Sequence, residues 1–226
     1  MRPNNGDFES RGWIQTKLLD LFCGMGGWSK PFIDDGDEVW GIDIENYNYP
    51  GQLIQEDVRK LDGYGFTDID IIIGSPMCRD FSVAGRFGNG QGRYHWKVPQ
   101  DPQRGMILVN EFKRFVNEAQ PKIWAMENVT NGEPYINLVM GNPSWHFRLS
   151  KKGFRSLWSN FPMPFTFEYA PDNRMVKVKR QCHGKPIRRV VQPKSLRGPE
   201  RALIPYPVAR FVADAAKAQV INYSPE

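Results

Sequence analysis

The sequence has few of the residues that build disulfide frameworks or metal sites. Its 226 residues include three cysteines and three histidines. Cys23, Cys78 and Cys182 are widely spaced and odd in number, which argues against a disulfide framework, and they lack the paired spacing of a zinc site. Cys182 is followed by His183, but two adjacent ligands without further partners make a poor metal site. We therefore expect neither a metal nor a structural disulfide.

Long apolar runs are also missing. No stretch approaches the length that spans a bilayer, and the N-terminal residues MRPNNGDFESRGW lack the apolar segment of a secretory signal. These absences predict a cytoplasmic protein with no membrane partner.

The positive charge is unevenly distributed along the chain. Residues 1–127 hold 14 Lys and Arg against 19 Asp and Glu, whereas residues 128–226 hold 16 against six. The excess lies chiefly in RLSKKGFR (148–155) and in residues 174–197. A solvated basic face is one interpretation. A strip so dense in Lys and Arg, interrupted by Pro and Gly, is more simply a surface that meets the phosphates of a nucleic acid.

Short apolar runs alternate with helical patterns over the first 130 residues. Strands are predicted at 16–22, 37–44, 53–61, 68–74 and 121–129, with a short helix after the first and a long helix at 104–120. This alternation is typical of an α/β fold with a doubly wound, Rossmann-like, mostly parallel sheet. The C-terminal half is less regular, apart from a helix predicted at about 206–218. We expect a domain over 1–158, a small basic lobe over 159–200 and a C-terminal helix within 201–226.

In such a sheet ligands bind at the carboxyl ends of the strands, so the residues found there matter most. Glycines follow the first strand in DLFCGMGG (20–27), and Asp43 and Asp57 end the second and third. Glycine lets the backbone approach a ligand, and a carboxylate can accept hydrogen bonds from ribose hydroxyls. Each feature alone is commonly a turn or a cap. Together they predict a cradle for a nucleoside cofactor.

Cys78 follows the fourth predicted strand, and Glu127 with Asn128 ends the fifth. A lone cysteine is usually a small buried hydrophobe. Here the thiol and the carboxylate are both expected at the edge that carries the glycine loop. That convergence favours a chemical role for Cys78.

These residues together resemble the cytosine-C5 DNA methyltransferases. The matching segments are DLFCGMGG, GIDIE, EDV, GSPMCRDFS, DPQRG and MENV, in the family's order over residues 16–130. ERALIPYPVARFVADA (200–215) is similar to a diverged version of the family's last helix. The compact body and WHFRLSKKGFRSLW (145–158) resemble the small phage-type members. A bacterial, archaeal or phage-infected cell is the expected host, and the expected state is a monomer.

The resemblance implies a set of site residues. Cys78 would be the nucleophile, Glu127 the acid and Arg155 an accompanying cation. The implied cofactor is S-adenosyl-L-methionine, held by Asp20, Phe22, Gly24, Gly26, Gly27, Asp43, Ile44, Asp57, Val58 and Pro76. The implied partner is double-stranded DNA, contacted by Arg79, Ser82, Arg86, Arg93, Lys152, Lys179, Arg180, Arg188 and Arg189.

The resemblance also implies a mechanism. The thiolate of Cys78 would add to C6 of a flipped-out cytosine, making C5 nucleophilic enough to accept a methyl group, while Glu127 stabilises the charge that develops at N3. Arg79 or Arg86 would lower the pKa of the thiol. The glycine-rich, basic and aromatic segment 82–100 would close over the extruded base, or serve only as a surface loop.

The sequence departs from the family at three points. Met77 stands where the family usually has a second proline before the cysteine. The family's Gln-x-Arg-x-Arg segment is not recognisable, and Arg155 or Lys152 would supply its cation. The recognition lobe is very small. Two alternatives therefore stay open: the same chemistry on structured RNA, and a catalytically weak nucleic-acid-binding protein that retains the cofactor pocket. Self-protection in a restriction system, evasion of host defence by a phage and regulation are all compatible roles.

Overall fold

The structure, a computed structural model, describes residues 14–82, 101–140, 145–148, 155–162, 168–169, 176–177 and 203–223. Within these ranges the main sheet contains β1 (Lys17–Leu21), β2 (Glu38–Asp43), β3 (Gln52–Gln55), β4 (Ile71–Gly74), β5 (Ile123–Val129), β6 (Trp145–Arg148) and β7 (Arg155–Ser159). A separate pair consists of β8 (Glu168–Tyr169) and β9 (Val176–Lys177). The α-helices are α1 (Lys30–Asp34), α2 (Pro102–Ala119), α3 (Glu133–Met140) and α4 (Tyr206–Ile221).

The main sheet has the strand order β3-β2-β1-β4-β5-β7-β6. Strands β1 to β5 pair in parallel, whereas β7 is antiparallel to both β5 and β6. The predicted α/β, mostly parallel, Rossmann-like fold is confirmed. Since the chain runs outward from β1 to β3 and then returns to place β4 on the other side of β1, the order reverses between β1 and β4. That switch point is where a ligand cleft opens in sheets of this kind.

Two hydrophobic cores cover the two faces of the sheet. Alternate residues of the buried strands point to opposite faces, so Leu18 and Ile71 enter one core while Leu19 and Ile72 enter the other. The first core packs against α1 and α4, and the second against α2 and α3. Helices on both faces explain why β4 and the Leu residues of β1 form continuous apolar runs rather than alternating regularly with polar residues.

The long helix α2 begins at Pro102, the second residue of the DPQRG segment, and its N-terminus is capped. Asp101 accepts hydrogen bonds from the backbone N–H groups of Gln103 (3.0 Å) and Arg104 (3.4 Å). Pro102 suits the first helical position because its missing N–H would have had no partner there. The helix ends at Ala119, and Gln120 takes the left-handed conformation with φ of 53°. The prediction of a helix at 104–120 is confirmed, with both ends shifted toward the N-terminus.

The prediction of the third strand was partly wrong. Strand β3 ends at Gln55, and the chain then forms a 3₁₀ turn over Val58–Lys60. Asp57 therefore caps this turn and does not end the strand, because its side chain accepts from the backbone N–H of Arg59 at 3.0 Å. The carboxylate still lies beyond the carboxyl end of β3.

The hairpin of β6 and β7 and the helix α3 were not predicted. Strand β7 has the burial pattern of a covered strand and crosses the predicted boundary at residue 158, since it extends to Ser159. The helix predicted at 206–218 is confirmed as α4, which continues to Ile221. Most of the basic segment 159–200 lies outside the described residues. The division of the chain into three parts therefore stays a prediction.

A buried ion-pair cluster attaches α4 to the segment between α1 and β2. Lys217 is 1% exposed, and its Nζ lies 2.5 Å from Oδ2 of Asp37 and 3.1 Å from Oδ2 of Asp35. Asp37 also accepts from the N–H and hydroxyl of Thr16, at 2.8 and 3.0 Å. Arg210 binds both oxygens of Asp35 at 2.8 Å. This cluster fixes the position of the segment that leads into α4.

Candidate active site

The loop after β1 brings the backbone close to the sheet edge at the switch point. Phe22, Gly24 and Gly26 have φ values of 60°, 51° and 74°. A Cβ on Gly26 would also lie 2.7 Å from the ring of Pro50, so a larger residue is excluded there on two grounds. Gly27 is restricted by the segment just before α4, since a Cβ on it would lie 2.8 Å from the backbone nitrogen of Ile204.

Asp43 connects the end of β2 to this loop. Its Oδ2 accepts from the backbone N–H of Gly24 at 2.9 Å, and its Oδ1 accepts from the N–H of Glu45 at 3.0 Å. Each carboxylate oxygen has a further lone pair available to a ligand. The predicted arrangement of a glycine loop beside an acidic strand end is therefore present in the structure.

Asp57 lies on the opposite side of the same edge and is engaged by Arg59. Both of its oxygens accept from the Arg59 guanidinium, at distances of 2.5 to 3.0 Å. These hydrogen bonds hold the pKa of the Asp57 carboxyl at about 2. The group is thus ionised over the whole physiological range and can act only as an acceptor.

A cavity of about 630 Å³ lies between these elements. Its walls are mainly apolar. Of the residues predicted to bind a cofactor, those that line the cavity are Phe22, Gly24, Gly27, Asp43, Ile44, Asp57 and Val58. Those that do not are Asp20, Gly26 and Pro76. Trp28, Arg104, Ile107 and Leu108 also line the cavity, although the sequence had not indicated them for this site. Leu203 and Ile204 line it from the segment 200–215, whose resemblance to the family's last helix implies a place at the cofactor site.

Asp20 is placed beneath the glycine loop and not in the cavity. It is 1% exposed, and its Oδ2 accepts from the hydroxyl of Ser29 at 2.6 Å, while Ser29 also contacts the hydroxyl of Tyr49 at 2.6 Å. Burial raises the pKa of Asp20 to about 7, against the lowering effect of the Ser29 hydrogen bond. Its position supports the loop from below.

Cys78 lies in the segment 75–82 that follows β4. The thiol is half-buried. The backbone around it is fixed on both sides: the carbonyl of Pro76 accepts from the side-chain amide of Asn128 at 3.0 Å, and the carbonyl of Cys78 accepts from Phe81 and Ser82, each at 3.1 Å. Pro76 therefore contributes to positioning the thiol, although it does not line the cavity.

The downstream part of this segment is attached to the start of α2. The Asp80 carboxylate binds the Arg104 guanidinium at two points, and it accepts from the backbone N–H of Asp101 at 3.3 Å. Phe81 lies directly over Gly105, where a Cβ would come within 2.7 Å of its ring. The glycine of DPQRG is thus explained by this close approach.

Glu127 and Arg155 form an ion pair beside the thiol. Arg155 Nη1 donates to Glu127 Oε1 at 3.0 Å, and the two side chains are 22% and 6% exposed. The pair spans the antiparallel contact of β5 and β7, in which Glu127 lies opposite Leu157 and Val129 opposite Arg155. Of the two cations considered, Arg155 is therefore the one that the structure brings to Glu127; Lys152 lies outside the described residues.

The electrostatic prediction for Cys78 was wrong in direction. Burial raises the pKa of the thiol, the Glu127 carboxylate raises it further, and Arg155 opposes both; the resulting pKa is about 11. Arg79, expected to lower it, lines the cavity instead. In the unliganded protein the thiol is thus protonated near neutral pH.

Substitution of Glu127 and of Arg155 should shift the thiol pKa in opposite directions. Glu127→Gln removes the negative neighbour, so the pKa should fall below that of the wild type, and alkylation of Cys78 at pH 8 should be faster. Arg155→Met removes the positive neighbour and should slow it. The measurement is the pH dependence of iodoacetamide labelling of the Cys78 peptide by mass spectrometry. Shifts of the same sign in both variants would contradict this electrostatic account.

The predicted nucleic-acid contacts are only partly described. Arg79 lies at the cavity, and Ser82 follows the turn that contains Cys78. The others, Arg86, Arg93, Lys152, Lys179, Arg180, Arg188 and Arg189, lie outside the described residues.

The fold and the site define a class. One edge of a Rossmann-like sheet carries a glycine loop at the switch point, the Asp43 carboxylate at the next strand end, and Cys78, whose pKa the Glu127 carboxylate raises. A family model, C-5 cytosine-specific DNA methylase, matches residues 16–132. The chain belongs to this family.

Curated relatives agree with this assignment. The type II methyltransferase M.AquIA of Picosynechococcus is 45% identical over 134 residues, which make up 51% of this chain and 49% of that one. M1.HphI of Haemophilus parahaemolyticus is 32% identical over 131 residues, 51% of this chain and 33% of the relative. M.DdeI of Desulfomicrobium norvegicum is 31% identical over 125 residues, 50% of this chain and 27% of the relative. The chain thus matches between about a quarter and a half of the length of these proteins.

A solved structure of a DNA modification methyltransferase encoded within an E. coli prophage is also similar. Its identity is 24% and its TM-score 0.40, over 64% of this chain and 46% of that one. Two further properties concern the described residues alone. None of their helices has the length and apolar character needed to cross a bilayer. They contain no group of three or more His, Cys, Asp or Glu side chains placed to hold a metal ion.

Proposed function

We propose that the protein is a DNA (cytosine-5)-methyltransferase that transfers a methyl group from S-adenosyl-L-methionine to C5 of an extruded cytosine. One observation carries the proposal: Cys78 lies close enough to Glu127 and Arg155 for both charges to shift its pKa, and its neighbours Met77 and Arg79 line the cavity beside the glycine loop. A thiol, an acid and a cofactor-sized cleft thus converge at one sheet edge.

The cavity suits S-adenosyl-L-methionine in shape and donor set. At Gly26 and Gly27 the close approach of Pro50 and Ile204 leaves no room for a side chain. The backbone of the loop can therefore lie directly against a ligand. Asp43 offers acceptor lone pairs to ribose hydroxyls. Apolar walls, including Ile44 and Ile204, suit the adenine ring. When bound, this cofactor supplies an electrophilic methyl group.

The residues of the chain account for the remaining chemistry. The thiolate of Cys78 forms a bond to C6 of cytosine, which moves electron density to C5. Glu127 donates a proton or hydrogen bond to N3 and so stabilises the negative charge that develops there. Arg155 holds the Glu127 carboxyl through their 3.0 Å contact. Once C5 is methylated, solvent water takes the C5 proton, the C–H electron pair restores the C5–C6 double bond, and Cys78 leaves C6 as the thiolate.

The resting pKa of Cys78 fits this sequence of events. While Glu127 is charged, it raises the thiol pKa. When Cys78 attacks, its thiol proton passes to the pair formed by N3 of cytosine and Glu127, which removes the negative charge beside the sulfur, and Arg155 then favours the thiolate. The nucleophile is therefore formed when the base is in place, which limits side reactions of the free thiol.

Transfer of a labelled methyl group to duplex DNA and to tRNA tests the proposal. We expect transfer to DNA, and covalent trapping of the protein by a duplex that contains 5-fluorocytosine, since a C5 fluorine cannot leave as a proton does. Transfer to tRNA alone would favour the RNA alternative. DNA binding without transfer or trapping would favour the catalytically weak binding protein.

The basic segment supplies a separate prediction. Changing Lys179, Arg180, Arg188 and Arg189 together to Ala should weaken DNA binding and reduce the slope of log affinity against log salt by up to about 3.6, because each phosphate contact contributes roughly 0.9. The measurement is fluorescence anisotropy over a series of salt concentrations. Changing Lys17, Lys60 and Lys122, which already pair with carboxylates, is the matched control. An equal slope in the wild type and the fourfold variant would show that the segment does not contact phosphates.

A further inference from the structure

The segment that carries Cys78 has an anchor on the cofactor side. Trp28 belongs to the loop after β1, is 3% exposed, and packs in the core beneath α1 and α4. Its indole N–H donates to the hydroxyl of Ser75 at 2.9 Å. Ser75 is the first residue after β4, and its own N–H donates to the carbonyl of Leu21, the last residue of β1, at 3.3 Å. The two functional loops are therefore in direct contact.

The other anchors of the segment come from different elements. Asn128 on β5 holds Pro76, and Arg104 on α2 holds Asp80. Trp28 differs because it belongs to the glycine loop, and because both Trp28 and Ser75 line the cavity. A ligand that fills this part of the cavity would contact both partners of the hydrogen bond. One of these partners, Ser75, lies three residues before Cys78 in the sequence.

The residue before Cys78, Met77, explains why the segment needs this hydrogen bond. A proline beside the nucleophile would restrict the backbone by itself, since its ring fixes φ. Met77 has no such restriction, and its side chain is 55% exposed. The segment must then be fixed by hydrogen bonds from rigid neighbours. A buried indole is suited to this, because most of its ring packs in the core, part of it lines the cavity, and its single N–H donates to Ser75.

We infer that Trp28 and Ser75 are positioning residues that couple occupation of the cofactor cavity to the placement of Cys78. The inference rests on the proposed function, since it requires that the cavity holds the cofactor. A ligand that packs against Trp28 restricts the indole, the indole restricts Ser75, and the half-buried thiol becomes less able to swing toward solvent. The physical consequence is measurable without any methyl transfer.

The experiment compares alkylation of Cys78 with and without S-adenosylhomocysteine, whose binding is measured first by calorimetry. In the wild type, saturating ligand should slow iodoacetamide labelling of the Cys78 peptide by about three- to tenfold, the range that one hydrogen bond supports. In Trp28→Phe and in Ser75→Ala the protection should fall below about twofold, and the double variant should resemble either single one. Ser75→Thr keeps the hydroxyl and should restore protection. The unliganded labelling rate of each variant is its own reference.

The outcomes separate the two proposals. A wild-type protein that binds no S-adenosylhomocysteine would overturn the proposed function and the coupling with it. Binding without protection of Cys78 would overturn the coupling and leave the proposed function standing. Protection that persists in both Trp28→Phe and Ser75→Ala, or that is lost additively in the double variant, would show that the hydrogen bond does not transmit the effect.

Discussion

Cys78→Ser should reduce methyl transfer to DNA by at least about a thousandfold, the scale of loss expected when a covalent nucleophile is removed. A serine hydroxyl has a far higher pKa than a thiol and is a much weaker nucleophile toward C6. The fold should be unaffected, because the segment is held by backbone contacts at Pro76 and Cys78 that do not involve sulfur. The measurement is transfer of a labelled methyl group under single-turnover conditions.

Cofactor binding provides the control for this variant. Cys78 does not line the cavity, so the dissociation constant of S-adenosylhomocysteine should stay within about twofold of the wild type. Covalent trapping by 5-fluorocytosine duplexes should be lost in parallel with transfer. A variant that still transferred methyl groups at a comparable rate would refute the role of the thiol, and loss of cofactor binding would show that Cys78 is a packing residue.

Lys217→Ala should lower the free energy of unfolding by about 3–5 kcal/mol, the usual cost of removing one partner from a buried ion pair. The side chains of Lys217 and Asp37 are 2% and 1% exposed, so the variant leaves a buried carboxylate that still accepts from Thr16 but has lost the ammonium. Urea denaturation followed by circular dichroism gives the difference directly. The cofactor should also bind more weakly, because Ile204, which lines the cavity, lies two residues before the helix that Lys217 secures.

Lys60→Ala is the matched control for Lys217→Ala. Lys60 also pairs with a carboxylate, Glu56, at 3.0 Å, but its side chain is 70% exposed. Exposed pairs of this kind contribute only about 0–1 kcal/mol. Similar losses in the two variants would mean that burial does not distinguish the pairs, and the proposed attachment of α4 would have to be abandoned.

Local patterns predicted the parts of the fold and site that depend on short segments. The apolar run around Leu19, the glycines at 24 and 27, and the position of Asp43 each follow from a few adjacent residues, and the structure places both glycines and Asp43 at the cavity. Asp20 is a residue for which local patterns gave the wrong position. Phe22 and Gly24, close to it in sequence, line the cavity, but Asp20 lies on the face of β1 that carries Leu18, and its side chain accepts from Ser29.

Contacts between distant segments could not be predicted in the same way. Trp28 and Ser75 are 47 residues apart, and neither has a pattern that indicates the other. Arg155 was one of two possible cations because the hairpin of β6 and β7 has no clear alternation in sequence. The raised pKa of Cys78 depends on burial and on a carboxylate from another strand. Such properties arise only when the strands are assembled.

The contact between Arg210 and Pro31 has a consequence for the order of folding during synthesis. Arg210 donates to the carbonyl of Pro31 across 179 residues of chain, so this contact cannot close until the ribosome has made the chain as far as α4. A nascent chain can pair β1 to β5 before then. The wall that Leu203 and Ile204 place against Gly27 is therefore added to a sheet whose parallel strands are already paired.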